Sequence, residues 1–261
     1  MQVCDGVIDW LMDGDPVIAW QAMRDLSGQP EDVWQAERRR TVEEGWGARF
    51  LEHLRPDGTW PPGRWTDTVW TLLTLIDCGL PAAYPPLRYA AQRFIDRHLT
   101  PERARDEKWL HQRMDLCHLG FWLRIGAYFL DSDTRLALLA QTVLRMQMPD
   151  GGWNCRVRND PQTHHSSFHT TFNVLEGLEL AARTGNLSME AFRQSEVRAL
   201  AFMLAHQMYR SDRTGGIIHE RLTRDPRRSV AAGDGERHIL CWTAHARTRP
   251  VGVRRPAPAH Q

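Results

Sequence analysis

Gln147-Met148-Pro149-Asp150-Gly151-Gly152-Trp153 is the stretch on which the reading of the fold turns. Its Asp-Gly-x-Trp core has a second copy upstream, Asp57-Gly58-Thr59-Trp60, and a degenerate copy between them, Asp106-Glu107-Lys108-Trp109. The three tryptophans stand 49 and 44 residues apart. That is the length of one helix pair with its loops, and self-similarity at such a period marks a tandem array. Asp-Gly ahead of the tryptophan is turn chemistry, suited to a chain that reverses between two layers.

Working outward, each tryptophan follows a segment with helical apolar periodicity. Val42 to Leu54 is the first. Leu87 to Leu99 carries Leu87, Ala90, Ala91, Phe94 and Ile95; Leu136 to Met148 carries Leu136, Leu139, Ala140, Val143, Leu144 and Met146. These have the i, i+3, i+4 spacing of amphipathic helices. After each tryptophan come a loop and a more uniformly apolar segment: Thr68 to Leu80, Leu116 to Leu130 and Thr170 to Ala182. Gly79 and Gly185 are helix stops. No useful period-2 pattern is present. The prediction is an all-α chain of two layers, with half-wet outer helices and covered inner helices that face a central space.

The motifs resemble a known superfamily. Gln147 to Trp153 is similar to the Gln…Gly-x-Trp repeat of squalene and oxidosqualene cyclases. His169-Thr170-Thr171-Phe172 with Gly177-Leu178 resembles the His-Thr-x-Tyr…Gly-Leu segment of protein prenyltransferase β-subunits. The resemblance runs from about Trp10 to Ile218. It implies an α/α toroid, two concentric rings of helices, and an isoprenoid-handling enzyme or a non-catalytic toroid that binds a lipid or partner. The first copy departs from the pattern, with Leu54 where the repeat has Gln. Only four or five of about six helix pairs are visible, which leaves room for an open ring. The motifs identify a fold more than a chemistry.

Composition is consistent with a globular chain. Hydrophobic residues make up 42%, and the formal net charge of +1 gives no general attraction to nucleic acid. The 11 tryptophans against 4 tyrosines are the outlier. No signal peptide is recognisable, and the longest apolar run, Leu116 to Leu130, is interrupted by His118 and Arg124 and falls short of the roughly 20 residues that span a bilayer. Five scattered cysteines, Cys4, Cys78, Cys117, Cys155 and Cys241, read as reduced thiols of a cytoplasmic protein.

Aligning the starts of the inner helices puts Asp67-Thr68-Val69, Asp115-Leu116-Cys117 and His169-Thr170-Thr171 at one point of the repeat. Asp115, Cys117 and His169 are then neighbours on one rim. Oxygen, sulfur and nitrogen donors with an open fourth position suit a catalytic Zn²⁺. Protein prenyltransferase β-subunits resemble this, with an Asp-x-Cys pair and a His as zinc ligands, and the resemblance implies zinc-assisted prenyl transfer to a thiol-like nucleophile, with a helical α-subunit as partner. Cys155, His164 and His165 are candidate fourth ligands. Alternatively Asp115 is an N-cap and Cys117 a small buried hydrophobe.

Asp131-Ser132-Asp133-Thr134 resembles the Asp-x-Asp-Asp acid motif of class II terpene cyclases, with Asp133 as the candidate acid. Thr134 stands where the third Asp belongs, and Arg135 beside it favours the ionised carboxylate, so helix capping competes with acid catalysis. Trp70, Phe121, Trp122, Phe129 and Phe172 are candidate walls of an isoprenoid cavity, and Arg113, Arg156 and Arg158 candidate ligands of a diphosphate. From Arg221 to Gln261 the chain turns Arg- and Pro-rich and loses its apolar period. It is expected to be an atypical or disordered tail beside a repeat domain covering residues 1–220.

Overall fold

The computed structural model describes residues 5–63, 67–130 and 133–218. The chain divides into two compact units, 1–208 and 209–261. Of the second, only 209–218 are described: a small antiparallel turn in which Arg210 bridges Ile217 and the Arg210 guanidinium donates to the Gly215 carbonyl at 2.7 Å. The tail expected over 221–261 lies outside the described residues.

The first unit is helical throughout its described length. In order come α1 (Asp5–Met12), α2 (Pro16–Asp25), α3 (Glu31–Arg40), α4 (Gly45–Leu51), α5 (Thr68–Asp77), α6 (Pro85–His98), α7 (Pro101–Arg105), α8 (Glu107–Arg113), α9 (Leu116–Phe129), α10 (Thr134–Arg145), a 3-10 turn (Cys155–Arg158), α11 (Phe168–Arg183) and α12 (Met189–Ala205). All six helical segments expected from periodicity are present. The first is shorter than its apolar pattern, because Gly45 adopts φ +69° and restarts the chain after a turn. Starts carry their capping residues. Asp67, Asp106, Asp133, Ser167 and Ser188 each accept a backbone N–H of the following first turn.

The two full copies of the motif have one geometry. The Trp60 indole N–H donates to the Phe50 carbonyl at 2.7 Å, and that of Trp153 to the Val143 carbonyl at 2.9 Å. In both cases the acceptor lies ten residues earlier, on the preceding helix, α4 for Trp60 and α10 for Trp153. The backbone N–H of each tryptophan donates to a threonine hydroxyl on the next long helix, Thr68 of α5 for Trp60 and Thr171 of α11 for Trp153. Each tryptophan therefore fastens the helix before it to the helix after it. Gly58 and Gly151, both with positive φ, lie against a further helix: a side chain on Gly58 would touch Ala90 of α6, and one on Gly151 would strike the Arg198 carbonyl of α12. The Gln147 amide adds a joint that the first copy lacks. It donates to the Gly151 carbonyl at 2.6 Å and to the Ser195 carbonyl of α12 at 2.8 Å, and its oxygen accepts from Arg198. The middle copy is different. Asp106 caps α8 through the Trp109 N–H at 2.8 Å, and the indole is half-buried beneath the Arg103 guanidinium. There the motif starts a helix and does not reverse the chain.

The core is centred on α9, whose residues are buried on nearly every side. It packs most extensively on α11. The two helices touch backbone to backbone where Gly120 meets Gly177: a Cβ on Gly120 would strike Asn173, and one on Gly177 would strike Gly120. Arg124 is the charged residue of this apolar helix. It pairs with Asp77 at the end of α5 and with Glu176 of α11 at 2.9 Å, which joins α5, α9 and α11. The N-terminal helices attach by a few specific contacts. Trp20 donates to the Cys78 carbonyl at 2.9 Å and stacks near Trp34, while Arg38 reaches the Gly79 carbonyl and the Tyr128 hydroxyl.

Candidate functional site

A cavity of about 750 Å³ opens where the N-terminal ends of α5 and α9 meet the C-terminal half of α6. The turn after Asp57 closes one side. Its apolar wall is made by Val69, Phe94, Met114 and Trp122. An aromatic row runs along it: Phe94 faces His98 at 4.7 Å between ring centres, and His98 faces Trp122 at 5.6 Å. The volume lies within the range of ordinary ligand sites.

Both signs of charge line this cavity, but the acids are already engaged. Asp57 accepts from the Thr59 hydroxyl and amide at 2.7 and 3.0 Å, and Asp67 caps α5. Asp96 pairs with Arg135 at 2.8 Å and accepts from Gln92. Arg93 and Arg97, exposed at the mouth, make no ion pair among the described residues, and His118 stands opposite them on α9. His98 reports the resulting field. Its pKa is held below the ordinary histidine value first by burial, then by Arg97, Arg103 and His118. The cavity therefore presents an apolar wall and a rim of mixed charge, in which Arg93 and Arg97 are the cations without an ion pair among the described residues. Arg93 and Arg97 are i, i+4 neighbours on the wet face of α6, the one sequence signal that points to them.

Beside the cavity two thiols meet, Cys117 on the first turn of α9 and Cys155 at the start of the 3-10 turn. The sulfurs of Cys117 and Cys155 are 3.4 Å apart. Cys155 Sγ also accepts from the Cys117 backbone N–H at 3.4 Å and faces the Thr170 hydroxyl at 3.3 Å. Thr170 Oγ1 in turn accepts from the Cys155 N–H at 3.4 Å. The Cys117 N–H and the Thr170 hydroxyl therefore converge on Cys155 Sγ, and an S–H bridges the two sulfurs. The Cys117 thiol is pushed up by its bond to Cys155 and by burial; the Cys155 thiol is drawn down by its bond to Cys117 against the cost of its own burial. Asp115 caps no amide with its side chain. Its carboxylate pairs with Arg158 at 3.3 Å, and Arg158 also donates to the Arg113 carbonyl.

The structure therefore groups Asp115, Cys117, Cys155 and Thr170, while His169, the residue expected to complete a zinc site, is exposed on the adjoining turn of α11. Among the described residues no group of three or more His, Cys, Asp or Glu side chains is placed to hold a metal ion. Two sulfurs fall short of the three protein donors that an open tetrahedral zinc site takes. His164 and His165 are exposed, and His165 contributes only its carbonyl, to Asn154.

Of the aromatic residues expected to line a cavity, Trp122 does so. Phe121, Phe129 and Phe172 are buried, Phe129 with no exposed surface, and half-buried Trp70 packs edge-on against Phe121 at 5.1 Å. The expected diphosphate ligands are elsewhere: Arg158 is spent on Asp115, and Arg113 and Arg156 are exposed.

Asp133 is a helix cap. It accepts from the Arg135 amide at 2.9 Å and from the Arg135 guanidinium at 2.6 Å, and these bonds outweigh its burial and hold its pKa below the ordinary value. A carboxyl so held is a poor proton donor to an alkene. Asp131 and Ser132 lie outside the described residues. A depressed carboxyl pKa adds stability that is present above the unfolded value, near 4, and is lost as pH falls through the folded value. Asp133→Asn is therefore expected to lower the melting temperature at pH 7, with the difference from wild type narrowing below about pH 4. A gap in denaturation curves that stays constant from pH 7 to pH 3 would contradict this.

No family model, no curated protein and no solved structure matches this chain. Among the described residues no helix is long and apolar enough to cross a membrane.

Proposed function

We propose that the chain is a member of the α/α-toroid class and binds an isoprenoid or similar amphiphile, with the apolar chain along Phe94, Met114 and Trp122 and an anionic head at Arg93 and Arg97. The observation that carries this reading is an apolar-walled cavity whose acids are engaged while its two arginines are not. In such a toroid α5, α9 and α11 are inner helices, and α6, α10 and α12 outer ones. The fused Trp60 and Trp153 geometry supports that assignment.

Binding needs neither a metal nor Asp133. Cyclisation started by Asp133 is disfavoured by the Arg135 clasp. Zinc-assisted transfer to a thiol-like acceptor, with a helical partner subunit, is the chemical step that the resemblance implies. It would require Asp115 or His169 to turn toward the sulfurs of Cys117 and Cys155.

The test is calorimetric titration with farnesyl diphosphate and with farnesol. The diphosphate is expected to bind more tightly than the alcohol. Charge-assisted hydrogen bonds contribute about 1.5–3 kcal/mol each, so Arg93→Gln with Arg97→Gln should weaken the diphosphate at least roughly tenfold and leave the alcohol unchanged. Equal binding of diphosphate by wild type and double variant, or none by wild type, would overturn the reading.

A further inference from the structure

We propose that Cys117 and Cys155 form a redox-active dithiol that hydroperoxides convert to an intramolecular disulfide. The inference does not depend on what the cavity holds. The two sulfurs are at 3.4 Å, closer than a chance pairing of two thiols requires and short of a bond. Closing to a disulfide of about 2.05 Å takes a movement of roughly 1.4 Å, within reach of side-chain rotation. The two residues are 38 positions apart and sit on different elements, the 3-10 turn and the first turn of α9. Both are half-buried, so a small oxidant has access while a large one does not.

The surroundings assign different roles to the two thiols. Cys155 Sγ receives the Cys117 amide at the positive end of a 14-residue helix and faces the Thr170 hydroxyl. It is the attacking sulfur. Arg158, paired to Asp115, offsets the charge of that nearby carboxylate. In the first step the Cys155 thiolate attacks the distal oxygen of the hydroperoxide. The O–O bond breaks, the OH passes to the sulfur as a sulfenic acid, and the alkoxide or hydroxide that leaves takes up a proton from solvent. In the second, Cys117 Sγ attacks Cys155 Sγ; the S–O bond breaks, water leaves with the Cys117 proton, and the S–S bond forms. One peroxide supplies the two-electron oxidation. The product ties the first turn of α9, which carries the cavity residue His118 and follows the cavity residue Met114, to the turn at Cys155. Cys78 offers an internal reference, since it is buried and its carbonyl is held by Trp20.

The test treats the full chain with hydrogen peroxide, alkylates remaining thiols, and maps peptides without reduction. The expected result is a Cys117–Cys155 linked peptide, reversed by dithiothreitol, with both thiols lost at least roughly tenfold faster than that of Cys78. With Cys117→Ser the Cys155 sulfenic acid should persist and be captured by dimedone, while with Cys155→Ser no dimedone adduct should form at Cys117. Circular dichroism of each variant establishes that it is folded. Retention of both thiols in folded wild type, or a link to another cysteine in place of this one, would overturn the proposal, as would dimedone capture at Cys117 alone.

Discussion

Alanine at Gly120 is expected to lower the melting temperature by roughly 6–12 °C, since overpacking costs up to about 3 kcal/mol and each kcal/mol moves a domain of this size by about 2–4 °C. Two effects of opposite sign compete. Gly→Ala inside a helix is favourable by about 1 kcal/mol through propensity. The added methyl, however, has no space, because it would strike the Asn173 carbonyl of α11. The obstacle is main chain and cannot rotate away, so α9 and α11 must separate, and the largest contact of the core opens with them. Gly177→Ala attacks the same crossing from the other side, against Gly120 itself. The double variant should lose less than the sum of the two singles, because helices already spread by one methyl accommodate the second. Thermal denaturation of the three variants decides the matter. A melting temperature that rises in either single variant would mean that propensity wins and that the helices do not touch.

Trp153→Ala should cost about 4 kcal/mol, in the range for large buried aromatics. The indole has no exposed surface, and its N–H is the partner of the Val143 carbonyl. Removing it leaves a cavity and takes from the Val143 carbonyl of α10 its shorter hydrogen bond, leaving the Met146 N–H at 3.2 Å as its donor. Trp109→Ala is the matched comparison, with the same residue type at the degenerate copy. That side chain is half-buried and covered by Arg103. Its loss should cost about 1–2 kcal/mol, since much of what it buries is already wet. Denaturant unfolding of both variants gives the two values. Equal costs would mean that the middle copy is as structural as the third.

The sequence carried the helices whose apolar stripes are clean. Leu87, Ala90, Ala91, Phe94 and Ile95 all turned inward on α6, and α10 buries Leu136, Leu139, Ala140 and Val143. It hid α12, because Val197, Leu200 and Leu204 stay exposed and blur the stripe of Phe192, Ser195, Ala199 and Phe202. It hid α3 as well, which has no buried residue and is held by Arg38 and Trp34. Within the site, alignment of helix starts put Asp115, Cys117 and His169 at one rim; in the structure Thr170, not His169, is the α11 residue that meets the Cys155 sulfur. Adjacent residues on a helix differ by about 100° in direction, so an offset of one position in an alignment exchanges a facing side chain for an exposed one. The partner Cys155 lies on a short 3-10 turn that has no periodic signature. Arg93 and Arg97 read as ordinary surface charge, since only the fold shows that the acids around them are engaged.

The Gln147 amide has a consequence for how the whole array holds together. It reaches from the turn after α10 to the main chain of α12, and no further. A link of this kind couples two neighbouring helices alone, so cooperativity across such a chain of helices depends on each separate joint. Those joints are unequal. The later one is bolted by the Gln147 amide on the Ser195 carbonyl and by Arg198 on the Gln147 oxygen, whereas the earlier, with Leu54 at the corresponding place, rests on the close approach of Gly58 to α6. A fluctuation that opens the earlier joint can therefore stop before it reaches the later one. The lower-numbered end can breathe while the segment around Trp153 keeps its order.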